Sequence, residues 1–187
     1  NGGPGAPAWL FVARRHQAAL RNPLSGWMGH ARPFDFIDDY APAPGIGRWL
    51  CGTPPILSLT ALNAALDAFD GVDMAEVRAK AGVLGDLFIE RVEARCAGMG
   101  LILASPRVAA ARGGQVSFQH PQGWVAMQNL IARGVIGDFR APDAIRFGFA
   151  PLYVRHVDVW DSVEVLGEIL DSESWRDPRY QTVAVVT

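Results

Sequence analysis

Five segments between Leu101 and Phe149 decide the fold: Leu101-Ile102-Leu103-Ala104, Val116-Ser117-Phe118-Gln119, the helical run 123–133, Val135-Ile136-Gly137-Asp138-Phe139 and Ala144-Ile145-Arg146-Phe147-Gly148-Phe149. The four short apolar segments are bounded by Gly, Pro and Asp, as strands are. Gly134 closes the helix, and Pro142 separates the last two strands. A strongly amphipathic helix is expected over 157–170, with Trp160, Val163, Leu166, Ile169 and Leu170 on its apolar face. The order β, β, α, β, β, α implies a small α/β sandwich, a sheet with helices on one side. The fold class is α/β.

Working outward toward the N-terminus, Asp73-Met74-Ala75-Glu76 is a capping-box pattern. It opens a helix carrying Val77, Leu84, Phe88 and Val92 that stops at Gly98. Before it, Thr53 is expected as an N-cap and Pro54 at the first helical position, where a missing N–H costs nothing. Leu59, Leu62, Leu66 and Phe69 give that helix one apolar face, and Asp70-Gly71 ends it. Residues 22–52 are broken throughout by Pro and Gly, yet hold Trp27, Phe34, Phe36, Tyr40 and Trp49. An irregular segment of that length that keeps its aromatics is expected to be functional. Residues 9–13 read as a short buried strand, 14–21 as a helical turn, and 183–186 as an edge strand or oligomer contact. The change of texture near Gly98 divides the chain into 1–97 and 98–187, with the long helix bridging the two parts.

Half of the 187 residues are hydrophobic and only 19% are charged, so burial against a partner is expected. Net charge is −2 with no basic run, which argues against nucleic acid. No apolar run approaches the ~20 residues of a membrane span. Cys51 and Cys96 form neither a disulfide framework nor a metal cluster, and a reducing, cytoplasmic setting is the expectation. No His, Cys, Asp or Glu spacing suggests a metal.

Three residues stand out. Thr53, beside Gly52 and ahead of a helix, either caps that helix or offers a hydroxyl where an anion could approach the backbone. Trp27, in Gly26-Trp27-Met28-Gly29-His30, either plugs a core edge or presents its indole N–H to a ligand. Arg146, between Ile145 and Phe147, must be paired. It is either a structural ion pair with Asp138 or Asp143, or a bidentate clamp on a substrate carboxylate. His30 is expected to hold its loop by hydrogen bonds. The only lysine is Lys80, in the middle of a helix.

These residues, together with Asn1-Gly2-Gly3-Pro4-Gly5, Gly52-Thr53-Pro54-Pro55-Ile56, Arg133-Gly134-Val135-Ile136-Gly137-Asp138-Phe139-Arg140 and Arg146-Phe147-Gly148-Phe149-Ala150-Pro151-Leu152-Tyr153, make the chain resemble the kynureninase family. The resemblance extends over essentially the whole chain. Kynureninases are fold-type I enzymes of the pyridoxal-phosphate aminotransferase superfamily. They hydrolyse the Cβ–Cγ bond of L-kynurenine to anthranilate and L-alanine in tryptophan degradation. The resemblance implies that this chain is the C-terminal half, beginning just after the Schiff-base lysine. It would comprise the end of the large domain (1–97, with its connecting helix) and the small domain (98–187).

By the same likeness, Trp27 and Thr53 match positions that bind pyridoxal 5′-phosphate in the neighbouring subunit of a homodimer, and Arg146 matches the arginine on the substrate's α-carboxylate. No catalytic residue is carried over. The Schiff-base lysine, the acidic partner of the pyridine nitrogen and most of the phosphate loop belong to the N-terminal part of the enzyme, so this chain alone is expected to be inactive. Kynurenine and 3-hydroxykynurenine are not distinguished. Two rivals stay open: another class V-type pyridoxal enzyme (an aminotransferase or a cysteine desulfurase), or a non-catalytic dimerisation module.

Overall fold

A computed structural model describes residues 5–181, which separate into two compact units, Asn1–Gly71 and Val72–Thr187.

The second unit is built on one antiparallel sheet. Its strands β1 (Ile102–Leu103), β2 (Gln115–Gln119), β3 (Asp138–Arg140) and β4 (Ala144–Gly148) lie in the order β1-β2-β4-β3. Alternation assigns the faces. Val116, Phe118, Ile145 and Phe147 point into the core, whereas Ser117 and Arg146, paired directly across β2 and β4, lie on the opposite face.

Three helices cover the core face: α3 (Met74–Arg95), α4 (Gly123–Ala132) and α5 (His156–Asp171). The α3 helix contributes Leu84, Phe88, Ile89 and Val92, and α5 contributes Val159, Val163, Leu166 and Ile169. Phe88 is the hub, with its ring against Phe118, Phe147 and Phe149 at centroid distances of 6.1, 4.6 and 5.4 Å. Asp73 caps α3 by accepting from Ala75 N, as the sequence pattern implied.

The helix expected to bridge two parts thus packs within this unit, against α5. Arg91 and Arg95 of α3 both pair with Glu164 of α5, at 2.6 and 3.2 Å. Trp160, expected in the core, is half exposed, with the Arg91 guanidinium stacked 3.4 Å from its ring centre. Arg112 is buried. It ties the segment before β2 to α3 by donating to the carbonyls of Pro106 and Arg107 and to Asp86 Oδ1 at 2.5 Å.

Strand β3 starts three residues later than expected. The N–H of Val135 closes α4 by donating to Leu130 O at 2.9 Å, so pairing with β4 begins only at Asp138.

The first unit contains α1 (Arg14–Gln17), 3-10 turns at Trp27–Gly29 and Gly45–Trp49, and α2 (Ile56–Leu66). Residues 9–13 are not a strand. No neighbouring strand among the described residues completes a ladder, and Trp9 and Phe11 are exposed. Nor does Thr53 cap α2, which begins after Pro55. Each residue preceding a proline is biased away from helical angles. Thr53 and Pro54 both precede one, which pushes the helix start beyond them. The expected apolar face of α2 is absent as a buried face, since none of its residues is buried. The stretch 183–186 lies outside the described residues.

Candidate functional site

The irregular segment 22–52 is held by its backbone. Ala31 N donates to Ala41 O (2.7 Å), Ala43 N to Gly29 O (2.8 Å) and Met28 N to Cys51 O (3.3 Å). Side chains add to this: the Tyr40 hydroxyl donates to Gly29 O at 3.0 Å, and Arg48 Nε donates to Ala43 O at 3.0 Å. The glycines flanking Trp27 have a steric purpose. A Cβ on Gly26 would lie 2.1 Å from Cys51 O, and one on Gly29 would lie 2.3 Å from Leu50 O. Only glycine lets the Trp27 turn lie against 50–52.

That contact brings the indole beside Gly52, the residue before Thr53. A Cβ on Gly52 would meet Trp27 Nε1 at 4.0 Å, and Thr53 follows directly. The Trp27 ring is half exposed and braced edge-on by Phe34 at 5.7 Å. Thr53 is exposed, on the extended approach to α2. Trp27 and Thr53 thus lie on adjoining segments, and an indole N–H and a hydroxyl are the kinds of donor that bind phosphate oxygens. Thr53 stands three residues ahead of the first helical residue, so it does not occupy the N-cap position.

His30 is buried and structural. Its Nδ1 accepts from Arg32 N (2.8 Å), which leaves Nε2 to donate to Asp39 O (3.1 Å). Both ring nitrogens are thereby engaged in shaping the loop, as the sequence reading held. Next to this loop is a cavity of about 380 Å³, lined by Trp27, His30, Arg32, Phe36, Asp38 and Tyr40 among others.

Arg146 lies in the second unit, on the sheet face away from the helices. Its Nη2 donates to Asp138 Oδ2 directly across β3 and β4, the ion pair that the sequence offered as one alternative. Arg140 approaches the same oxygen at 3.4 Å. The Arg146 Nε is buried and has no acceptor among the described residues. Lys80 Nζ donates to Pro151 O at 2.6 Å, a contact within the second unit.

Among the described residues no cluster of His, Cys, Asp or Glu could hold a metal, and no helix is long and apolar enough to cross a membrane. Cys51 and Cys96 are both free. Cys96 is buried, and desolvation pushes its thiol up to about 11. Burial also lowers the pKa of His120, whose Nδ1 accepts from Gln122 N while Nε2 faces Met99 O at 3.1 Å.

Residues 77–166 match the family described as the kynureninase C-terminal domain. Kynureninases from Burkholderia mallei (strain SAVP1) and Burkholderia pseudomallei (strain K96243) are each 54% identical to the chain over all 187 residues, and that of Pseudomonas fluorescens is 50% identical. In each case the match takes in 45% of the relative, so the chain spans a little under half the length of these enzymes. The apo structure of a cysteine desulfurase from Thermococcus onnurineus NA1 superposes with a TM-score of 0.68 over 87% of this chain and 42% of that one, at 16% identity. That likeness shows the fold alone. The sequence likeness over the full chain is to kynureninases and to their C-terminal part.

Proposed function

We propose that this chain is the C-terminal part of a kynureninase, a pyridoxal-phosphate-dependent hydrolase that cleaves L-kynurenine to anthranilate and L-alanine. The observation that carries the reading is the 54% identity over every residue of the chain. In the full-length enzyme, residues 1–97 would close the large domain with the connecting helix, and 98–187 would form the small domain. The enzyme would act as a cytoplasmic homodimer with shared sites.

The residues present fit the cofactor's phosphate end. Trp27 Nε1 would donate to one phosphate oxygen and the Thr53 hydroxyl to another, across the interface to the partner subunit. Arg146 would take the substrate's α-carboxylate, a planar fork meeting a planar acceptor. When bound, pyridoxal phosphate supplies the electron sink for the bond cleavage. The work of this chain is orientation. Anchoring the substrate at its carboxylate and the cofactor at its phosphate aligns the scissile bond without a further entropic cost in the reactive step. On this reading the lysine that carries the cofactor would lie in the N-terminal part of the enzyme; Lys80 donates to Pro151 O within the second unit.

The test compares the full-length protein with this chain in the presence of pyridoxal phosphate and L-kynurenine. The full-length protein should release anthranilate and alanine in equal amounts. The chain alone should release neither, and should show no stoichiometric cofactor absorbance band that Lys80→Ala removes. A full-length protein that releases no anthranilate but transaminates kynurenine, or desulfurates cysteine, would replace the reading with another pyridoxal activity.

A further inference from the structure

We infer that Asp138 is a positioning residue for Arg146: its carboxylate fixes the guanidinium and leaves the remaining N–H donors for the α-carboxylate of the substrate. The inference rests on the reading of Arg146 given above.

The backbone builds the pair. Asp138 and Arg146 are direct partners in the β3–β4 register, and Arg146 is on a strand flanked on both sides. Its side chain is only 28% exposed, so it cannot sweep through many rotamers. The residue before Asp138 has to be glycine. A Cβ on Gly137 would stand 2.6 Å from Met127 Cε and 2.9 Å from Arg146 O. The Gly137-Asp138 pair is thus what brings the acid onto the arginine.

The pair is also incomplete. A guanidinium has five donors, and Asp138 engages Arg146 only through Nη2. The buried Nε has no acceptor among the described residues, a state that proteins avoid unless a ligand or another segment completes it. Charge points the same way. Arg140 and Arg146 share the single carboxylate of Asp138, leaving one positive charge in excess. One further carboxylate would neutralise the cluster and use the free donors. As a stability device the arrangement is poor, because Asp138 is nearly half exposed and such pairs contribute little.

The test uses the full-length enzyme loaded with pyridoxal phosphate, and compares D138N, R140A and R146A. Steady-state kinetics with L-kynurenine are measured beside competitive inhibition by kynuramine, the same molecule without its α-carboxylate. D138N should raise KM about tenfold with kcat within about threefold of wild type, and leave the kynuramine constant unchanged. R140A should act in the same direction by about two- to threefold, since its contact is longer and more exposed. An unchanged KM in D138N, a lowered one (Asp138 competing with substrate), or equal weakening of kynuramine would overturn the positioning role. R146A separates this from the parent reading. If R146A loses the discrimination between kynurenine and kynuramine while D138N keeps it, only the role of Asp138 falls. If R146A keeps KM, the carboxylate reading of Arg146 falls, and Asp138 with it.

Discussion

In the second unit Leu84, Phe88, Phe118, Leu130, Ile145 and Leu166 are almost wholly shielded from water, whereas among the described residues of the first unit only Gly29 and His30 are buried. The difference is not one of composition. The α2 helix holds Ile56, Leu57, Leu59, Leu62 and Leu66 among three alanines, spread around its whole circumference. A helix apolar on every side is built to be enclosed. The second unit encloses a core of its own. The first unit fixes its loops by backbone hydrogen bonds and glycine contacts, and its apolar residues are mostly exposed. Of the residues singled out, Trp27 and Thr53 are in the unit with little buried, and Arg146 is in the unit with the closed core.

The sharpest way to break that contrast is to truncate one large side chain in each unit of this chain. Phe88→Ala should cost about 3–5 kcal/mol, because a hub ring is lost from a closed core. Leu57→Ala, at 88% exposure, should stay within about 0.5 kcal/mol. Chemical denaturation followed by fluorescence measures both. Equal losses would mean that the first unit has a core of its own.

Next in size is Arg146→Ala in the full-length enzyme. Losing a bidentate charged contact of about 3 kcal/mol should lower kcat/KM by roughly two orders of magnitude, with folding and cofactor binding nearly intact. Arg146→Lys should recover only part, since a point charge cannot replace the fork. A variant that melts early while its folded fraction keeps wild-type kcat/KM would make the Asp138 contact purely structural.

A smaller effect separates the units by pH. The folded pKa of His120 is lowered, so the unfolded chain binds the proton more readily. Its contribution to stability is present above the ordinary histidine value and is lost as pH falls through that value toward the folded one. Cys96 works at the other end. Its pKa is raised from 9.0 to about 11, so its contribution is present below 9 and lost as pH rises toward 11. His120→Gln should flatten the acid limb of the melting-midpoint profile and Cys96→Ala the alkaline limb. The same burial predicts that a thiol reagent labels Cys51 in the native chain and Cys96 only after unfolding. Native labelling of both would mean that the second unit opens readily.

The second unit was largely legible from sequence because its signals are local. Alternation in Val116-Ser117-Phe118 and Ile145-Arg146-Phe147, the Asp73 cap and the α5 periodicity each reappear in the structure. What escaped depended on neighbours. Trp9 and Phe11 read as a strand because they are apolar, but a strand needs a partner ladder. Trp160 read as core, but a stacked arginine lets an indole sit at the surface. Thr53 read as a cap because Ser and Thr often precede helices, yet two successive prolines moved the helix start. At the site, the residue types were legible and the pairing was not. Asp138 was named only as one possible partner of Arg146. Its register across the sheet, set by Gly137, is a property of the fold.

On the proposed function, Trp27 and Thr53 of the first unit would complete a site in another subunit. Mixing two full-length variants tests it most directly: W27A/T53A, and one lacking the cofactor-binding lysine of the N-terminal part. If Trp27 and Thr53 act across the dimer, each mixed dimer holds one intact site, and random reassociation of equal amounts should restore about a quarter of wild-type kynurenine hydrolysis. Activity no higher than that of either parent, with mixed dimers confirmed by mass, would contradict it.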